Sequence, residues 1–138
     1  MLEGVSVASF LDTEALVALW EACGLTRPWN DPRADIALAI ETPTSEILIL
    51  READQIVASA MVGFDGHRGW VYYLAVAPSA QGRGFGRQMM AASENWLRAR
   101  GSPKIQFMVR DDNAAALGFY ARLGYDRQAV VTLGRPLD

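Results

Sequence analysis

A chain of 138 residues, 51% hydrophobic and 21% charged, is long enough for one domain with a substantial apolar core, and the whole of residues 1–138 is read as that single domain. A formal charge of −3 with dispersed arginines argues against a nucleic-acid partner, and no stretch approaches the roughly 18 uninterrupted apolar residues of a membrane-crossing helix. The single cysteine, Cys23, excludes an internal disulfide and a multi-cysteine metal site, and with a start (MLEGVSVASF) unlike a secretory leader it points to the cytoplasm.

Leu2 to Ala8 alternates like a first strand. Asp12 or Thr13 offers a cap to a helix over Glu14 to Cys23, on which Leu16, Leu19, Trp20 and Cys23 recur at helical spacing, and Gly24 stops it. After the loop Thr26 to Asp31, Asp31 followed by Pro32 is a cap and a first-turn proline, so a second helix is expected from Pro32 to Glu41. The period then changes. Ile47 to Arg51, Gln55 to Phe64 and Gly69 to Ala77 read as three antiparallel strands, with Asp65-Gly66 as a hairpin turn. A long helix follows from Gly84 to Arg100, burying Phe85, Met89, Met90, Ala92, Trp96 and Leu97. Lys104 to Val109 is expected as a strand, parallel to Gly69 to Ala77 because a helix crosses between them. Asn113 to Leu123 reads as a last helix and Asp126 to Leu133 as a last strand.

The chemistry concentrates at Gln81-Gly82-Arg83-Gly84-Phe85-Gly86-Arg87, where an apolar strand turns through alternating glycines straight into a helix. A helix beginning this way leaves its first N–H groups uncovered and its dipole positive, which is an anion site; Arg83 and Arg87 add charge. The spacing fits neither the triphosphate loop, which needs a Lys after its second glycine, nor the dinucleotide fingerprint G-x-G-x-x-G. Gln81, Gly84 and Gly86 do match Q-x-x-G-x-G, and this resembles the pyrophosphate-binding motif of the GNAT superfamily of acetyl-CoA-dependent N-acetyltransferases. Downstream, Asn113, Ala116, Tyr120, Gly124 and Tyr125 resemble that family's N-x-x-A-x-x-x-Y-x-x-x-G-[FY] segment. The stretches Arg27 to Pro32 and Phe64 to Gly69 look like the YpeA-type branch of its bacterial members.

The resemblance implies an α/β GNAT fold, with a mixed central sheet of about six to seven strands flanked by about four helices. It further implies acetyl-CoA as cosubstrate, with no metal, and acetyl transfer to a primary amine of a small molecule or protein by direct attack in a ternary complex. Leu74, Ala75 and Val76 would pair with the pantetheine arm, the backbone of Gly82 to Gly86 would take the pyrophosphate, and Arg122 would meet the 3′-phosphate. Tyr120 would protonate the leaving thiolate, and the N–H of Val76 or its neighbour would stabilise the oxyanion. The glutamate that many members carry early in the strand is missing, since Gly69 and Trp70 stand there. As base or water-holder, His67 is the first candidate and Asp31 the second; Asp65, Glu41 and Glu46 remain, with Tyr72 and Tyr73 on the strand. A monomer or homodimer is expected. The competing reading is an acyl-CoA sensor that binds the ligand without turnover.

Overall fold

The computed structural model of the chain describes residues 4–138, so Leu2, where the first strand was expected to start, lies outside the described residues. Two compact units are distinguished, one ending at Met108 and the other spanning Val109–Asp138.

The first unit carries β1 (Val5–Val7), α1 (Thr13–Ala22), α2 (Pro32–Glu41), β2 (Ser45–Glu52), β3 (Gln55–Phe64), β4 (Gly69–Val76), α3 (Phe85–Ala99) and β5 (Ile105–Gln106). Its sheet runs β1-β2-β3-β4-β5. Neighbours are antiparallel up to β4, whereas β4 and β5 are parallel, with Gly69 opposite Ile105 and Trp70 opposite Gln106.

The helix starts follow from their caps. Asp31 Oδ1 accepts the N–H groups of Arg33 (3.1 Å) and Ala34 (3.2 Å), and Pro32 fills the position where no N–H is required. Asp12 makes no side-chain cap to α1; its carboxylate accepts the Ser9 N–H at 2.9 Å, completing a capping box on the short turn Phe10–Asp12.

Helices cover both faces of the sheet. Leu16, Leu19 and Trp20 of α1 and Ile36 of α2 pack with Ile47, Ile49 and Ala75. Strand alternation turns Leu48, Val62 and Val71 to the opposite face, beneath Met89, Met90, Trp96 and Leu97 of α3. At Gly69, the first residue of β4, an added Cβ would lie 2.5 Å from both Leu97 methyl groups, so glycine is what lets α3 cross there.

The second unit has one regular element, α4 (Ala114–Arg122). Asn113 accepts the Ala116 N–H at 3.1 Å to start it, and it ends at Gly124, whose φ is 94°. Five strands are present among the described residues where about six to seven were expected, and the two expected strands that fall short lie toward the C-terminus. The expected Lys104 to Val109 strand is reduced to the two residues of β5. The expected strand Asp126 to Leu133 is not formed: strands exist only as partners in a backbone ladder, and this wholly exposed stretch builds none within its own unit.

Candidate functional site

The site is organised by an irregularity in β4. Ser59 lies opposite Ala75 and Met61 opposite Tyr72, so β4 spends one residue more than β3 between these pairs. That extra residue forms a bulge, and Tyr73 adopts φ +53°, a conformation seldom taken by a bulky side chain. Three side chains hold it. The Tyr73 ring stacks on Trp20 of α1, with centroids 3.8 Å apart and planes 4° from parallel. Trp20 Nε1 donates to Ser59 Oγ at 3.0 Å, and Ser59 Oγ donates to the Tyr73 carbonyl at 3.2 Å. Tyr73 Oη donates to Asp35 Oδ2 of α2 at 2.6 Å; burial first, then this carboxylate, push the phenol well above its usual range.

Beyond the bulge, β4 has an open side. β5 pairs only with its first two residues, and no other strand pairs with β4 on that side among the described residues. The Ala77 N–H donates to Val57 O of β3 at 2.8 Å, so strand alternation points the N–H and C=O of Val76 away from β3, toward the open side. The Val76 carbonyl accepts Gln81 Nε2 at 3.2 Å and Cys23 Sγ at 3.2 Å. Burial pushes the Cys23 thiol up, which keeps it a donor. With its carbonyl engaged, Val76 offers the open side a donor.

The strand then turns through Pro78–Ala80 into the glycine corner. Gly82 has φ 79°, and Gly84, the left-handed N-cap of α3, has φ 84°. A Cβ at either would meet nothing within 4 Å, so backbone conformation rather than crowding calls for glycine here. Gln88 N–H is satisfied by Gly84 O at 3.0 Å, no side chain caps α3, and the preceding N–H groups of Phe85, Gly86 and Arg87 find no acceptor among the described residues. This is a 15-residue helix presenting its positive end to solvent.

The two corner arginines differ. Arg87 is exposed and joins none of the ion pairs among the described residues. Arg83 makes a bidentate pair with Glu52 (Nη1–Oε1 2.9 Å, Nη2–Oε2 2.5 Å) and lies 4.8 Å from the Phe85 ring centroid. Each partner shifts the other, Arg83 upward and Glu52 downward.

The base candidates are dispersed. His67 sits in the β3–β4 turn, its N–H on Asp65 Oδ1 at 2.8 Å, at the end of β4 away from Val76; at about 3.3 Å per residue, β4 itself spans roughly 23 Å. The structure therefore does not bring His67 to the Leu74 to Val76 segment. Asp65 accepts the N–H groups of Arg68 and His67, which hold its carboxyl below the usual range, and also Trp70 Nε1. Glu46 accepts Trp96 Nε1 and Arg100 Nη2, each at 2.9 Å, and Asp31 is engaged as a cap. In the second unit, Tyr120 has its ring edge-to-face with Phe119 and Tyr125, and burial pushes its phenol up to about 12. Arg122 ends α4, and Asn113 and Ala116 form its N-cap contact. The Tyr73–Asp35 pair was missed by sequence reasoning, because residues 38 positions apart carry no local sign that they meet.

Comparison with known proteins gives a consistent answer. The model of the Acetyltransferase (GNAT) family matches residues 13–125. An acetyltransferase of Yersinia enterocolitica is 44% identical over 126 residues, covering 91% of this chain and 89% of the relative. A second, from Pectobacterium atrosepticum, is 45% identical with the same coverage. Among solved structures, AAC(6')-Iy in complex with the bisubstrate analog CoA-S-monomethyl-acetylneamine superposes with a TM-score of 0.81 at 15% identity, covering 97% of each chain.

Proposed function

The chain belongs to the acetyltransferase (GNAT) family and is an acetyl-CoA-dependent N-acetyltransferase; from that premise we propose direct acetyl transfer to a primary amine at the open side of β4. The observation that carries this reading is the continuity of β4 and α3: a strand with a free backbone donor at Val76 runs within ten residues into an uncapped helix N-terminus. The amide-rich pantetheine arm pairs along Leu74, Ala75 and Val76 as an added strand would, and the pyrophosphate meets the N–H groups between Gly82 and Arg87. Gln81 acts through its bond to Val76 O, fixing the corner to the strand end. Arg87 supplies charge directly, while Arg83 does so only in competition with Glu52.

The amine nitrogen, unprotonated, attacks the thioester carbonyl; the carbonyl electrons move to oxygen and are met by the Val76 N–H, and collapse breaks the carbon–sulfur bond. The departing thiolate takes a proton from the Tyr120 phenol, the role that the family's motif gives this residue; the nitrogen, cationic after its attack, releases one proton to water, and the Tyr120 phenolate regains its proton from water. A phenol with a pKa pushed up to about 12 is fully protonated at neutral pH, so it enters the reaction as a donor. Arg122 is assigned to the 3′-phosphate on the same motif. The amine class finds support in the structural neighbour's acetylneamine-bearing analogue.

The test is an amine-panel assay counting acetyl-CoA-dependent thiol release by wild type and Tyr120→Phe. Turnover on at least one amine, lost by at least about a hundredfold in Tyr120→Phe with acetyl-CoA binding retained, supports the reading. Tight acetyl-CoA binding with no turnover on any amine or lysine peptide supports the acyl-CoA sensor instead.

A further inference from the structure

We propose that Asp35 is the acceptor-side carboxylate of this protein, receiving the ammonium group of a cationic polyamine, and that Tyr73 is the positioning residue that aims it. This rests on the acetyltransferase reading above and adds to it the class of acceptor and the residue that selects it.

The first observation concerns charge. Glu14, Asp12, Glu52, Glu94 and Glu46 each pair with an arginine. Asp35 does not, and whereas the other acids without an ion pair among the described residues are exposed, Asp35 is half-buried: its side-chain partner is the neutral Tyr73 phenol, on Oδ2, and its Oδ1 accepts no hydrogen bond among the described residues. A half-buried carboxylate with no cation of its own presents negative charge and open acceptor capacity to an incoming ammonium.

The second concerns rigidity. The phenol that holds Asp35 belongs to the ring stacked on Trp20, and Trp20 and Ser59, both fully buried, complete the clasp on the Tyr73 carbonyl. A surface acid retained only for solubility needs no such support. A group that must place a substrate within a fraction of an ångström does.

The third concerns place. Tyr73 is the bulge residue of β4, three positions before Val76, whose N–H faces the open side of the strand. Its ring lies on the α1 and α2 face, as Ala75 does. The clasp therefore ties the carboxylate on α2 to the part of β4 where the acyl group is proposed to sit. The distal ammonium of a polyamine held at Asp35 leaves a second amine of the same molecule free to reach the thioester, which a monoamine cannot do.

The experiment is calorimetric titration of spermidine and of tobramycin, one linear and one ring-bearing polyamine, into wild type, Asp35→Asn, Asp35→Glu and Tyr73→Phe. Acetyl-CoA is titrated separately into each preparation. Wild type is expected to bind a polyamine, with an affinity that added salt weakens. Asp35→Asn, which still offers the phenol an acceptor, is expected to bind it at least about tenfold more weakly and to lose the salt dependence. Asp35→Glu, restoring the charge, recovers part of the affinity, and Tyr73→Phe falls between Asp35→Asn and wild type. All four bind acetyl-CoA alike; Asp35→Asn and Asp35→Glu, which keep an acceptor for the phenol, unfold within a small margin of the wild-type urea midpoint, whereas Tyr73→Phe, which gives up a hydrogen bond to a carboxylate, unfolds at a lower one. Equal polyamine binding by Asp35→Asn, or none by wild type, overturns the proposal. So does parallel loss of binding and of unfolding midpoint in both Asp35 variants, which marks the pair as a purely structural clasp. Failure of wild type to bind acetyl-CoA is a separate result: it removes the cofactor reading beneath the proposal, whatever the amines do.

Discussion

Replacing Ser59 by Ala tests how the bulge of β4 is held. Ser59 Oγ accepts the Trp20 indole N–H at 3.0 Å and donates to the Tyr73 carbonyl at 3.2 Å, and both Ser59 and Trp20 have 0% exposure. The substitution removes one oxygen atom, so its cavity is negligible; its cost is an indole N–H left buried without an acceptor and a carbonyl left without that donor. An orphaned buried donor costs about 1–3 kcal/mol, and about 2 kcal/mol in a chain of this size lowers Tm by roughly 4–10 °C. Urea unfolding followed by tryptophan fluorescence measures it, with an unchanged slope as the sign that only stability moved. Trp20→Phe removes the same N–H from the other side, so the double variant should be less destabilised than the sum of the singles, by about 0.5–1.5 kcal/mol. A Ser59→Ala loss below about 0.5 kcal/mol, or strict additivity with Trp20→Phe, refutes the claim that this hydrogen-bonded clasp maintains the strained Tyr73.

Other outcomes follow from particular contacts. Gly69→Ala places a Cβ 2.5 Å from the Leu97 methyl groups, so it should destabilise the fold by about 1–3 kcal/mol in chemical denaturation, and Leu97→Ala in the same chain should relieve part of that loss. Glu52→Gln releases Arg83 from its bidentate partner, and titration should show tighter CoA binding at low salt, with the gain vanishing as salt rises. Tyr120 ordinarily titrates near 10 and is raised to about 12 in the fold, so the native state holds its proton more tightly than the unfolded chain. Its contribution is fully present below pH 10 and is lost as pH rises from about 10 to 12; urea midpoints of wild type should fall across that window, and those of Tyr120→Phe should fall less.

Much of the fold is legible in local pattern. Asp31-Pro32 announces α2, and the helix runs from Pro32 to Glu41 as its cap and stop require. The meander and the parallel crossover are equally plain, because alternation and the helix between β4 and β5 are local facts. What local pattern misses depends on partners. Nothing near Tyr73 resembles a bulge, since no glycine marks it; the extra residue exists because Trp20, Ser59 and Asp35 converge from three other elements. Asp35 itself reads as an ordinary first-turn acid of a helix. Asp126 to Leu133 has strand-like residues but forms no ladder, and apolar, β-branched side chains alone do not make a strand. At the site, the glycine corner is visible from spacing, whereas the capture of Arg83 by Glu52, 31 positions away, is not. His67 looks well placed because it precedes the active strand in sequence, yet an extended strand carries its two ends far apart.

In the proposed reaction the glycine corner and the start of α3 hold the pyrophosphate of CoA. The most direct test is calorimetric titration of CoA and of pantetheine, which lacks the pyrophosphate, into wild type and Arg87→Glu. The account predicts that wild type binds CoA at least about a hundredfold more tightly than pantetheine, that Arg87→Glu loses about tenfold or more of the CoA affinity, and that pantetheine binding is the same in both proteins. CoA binding no tighter than pantetheine, or a CoA affinity indifferent to Arg87→Glu, contradicts it.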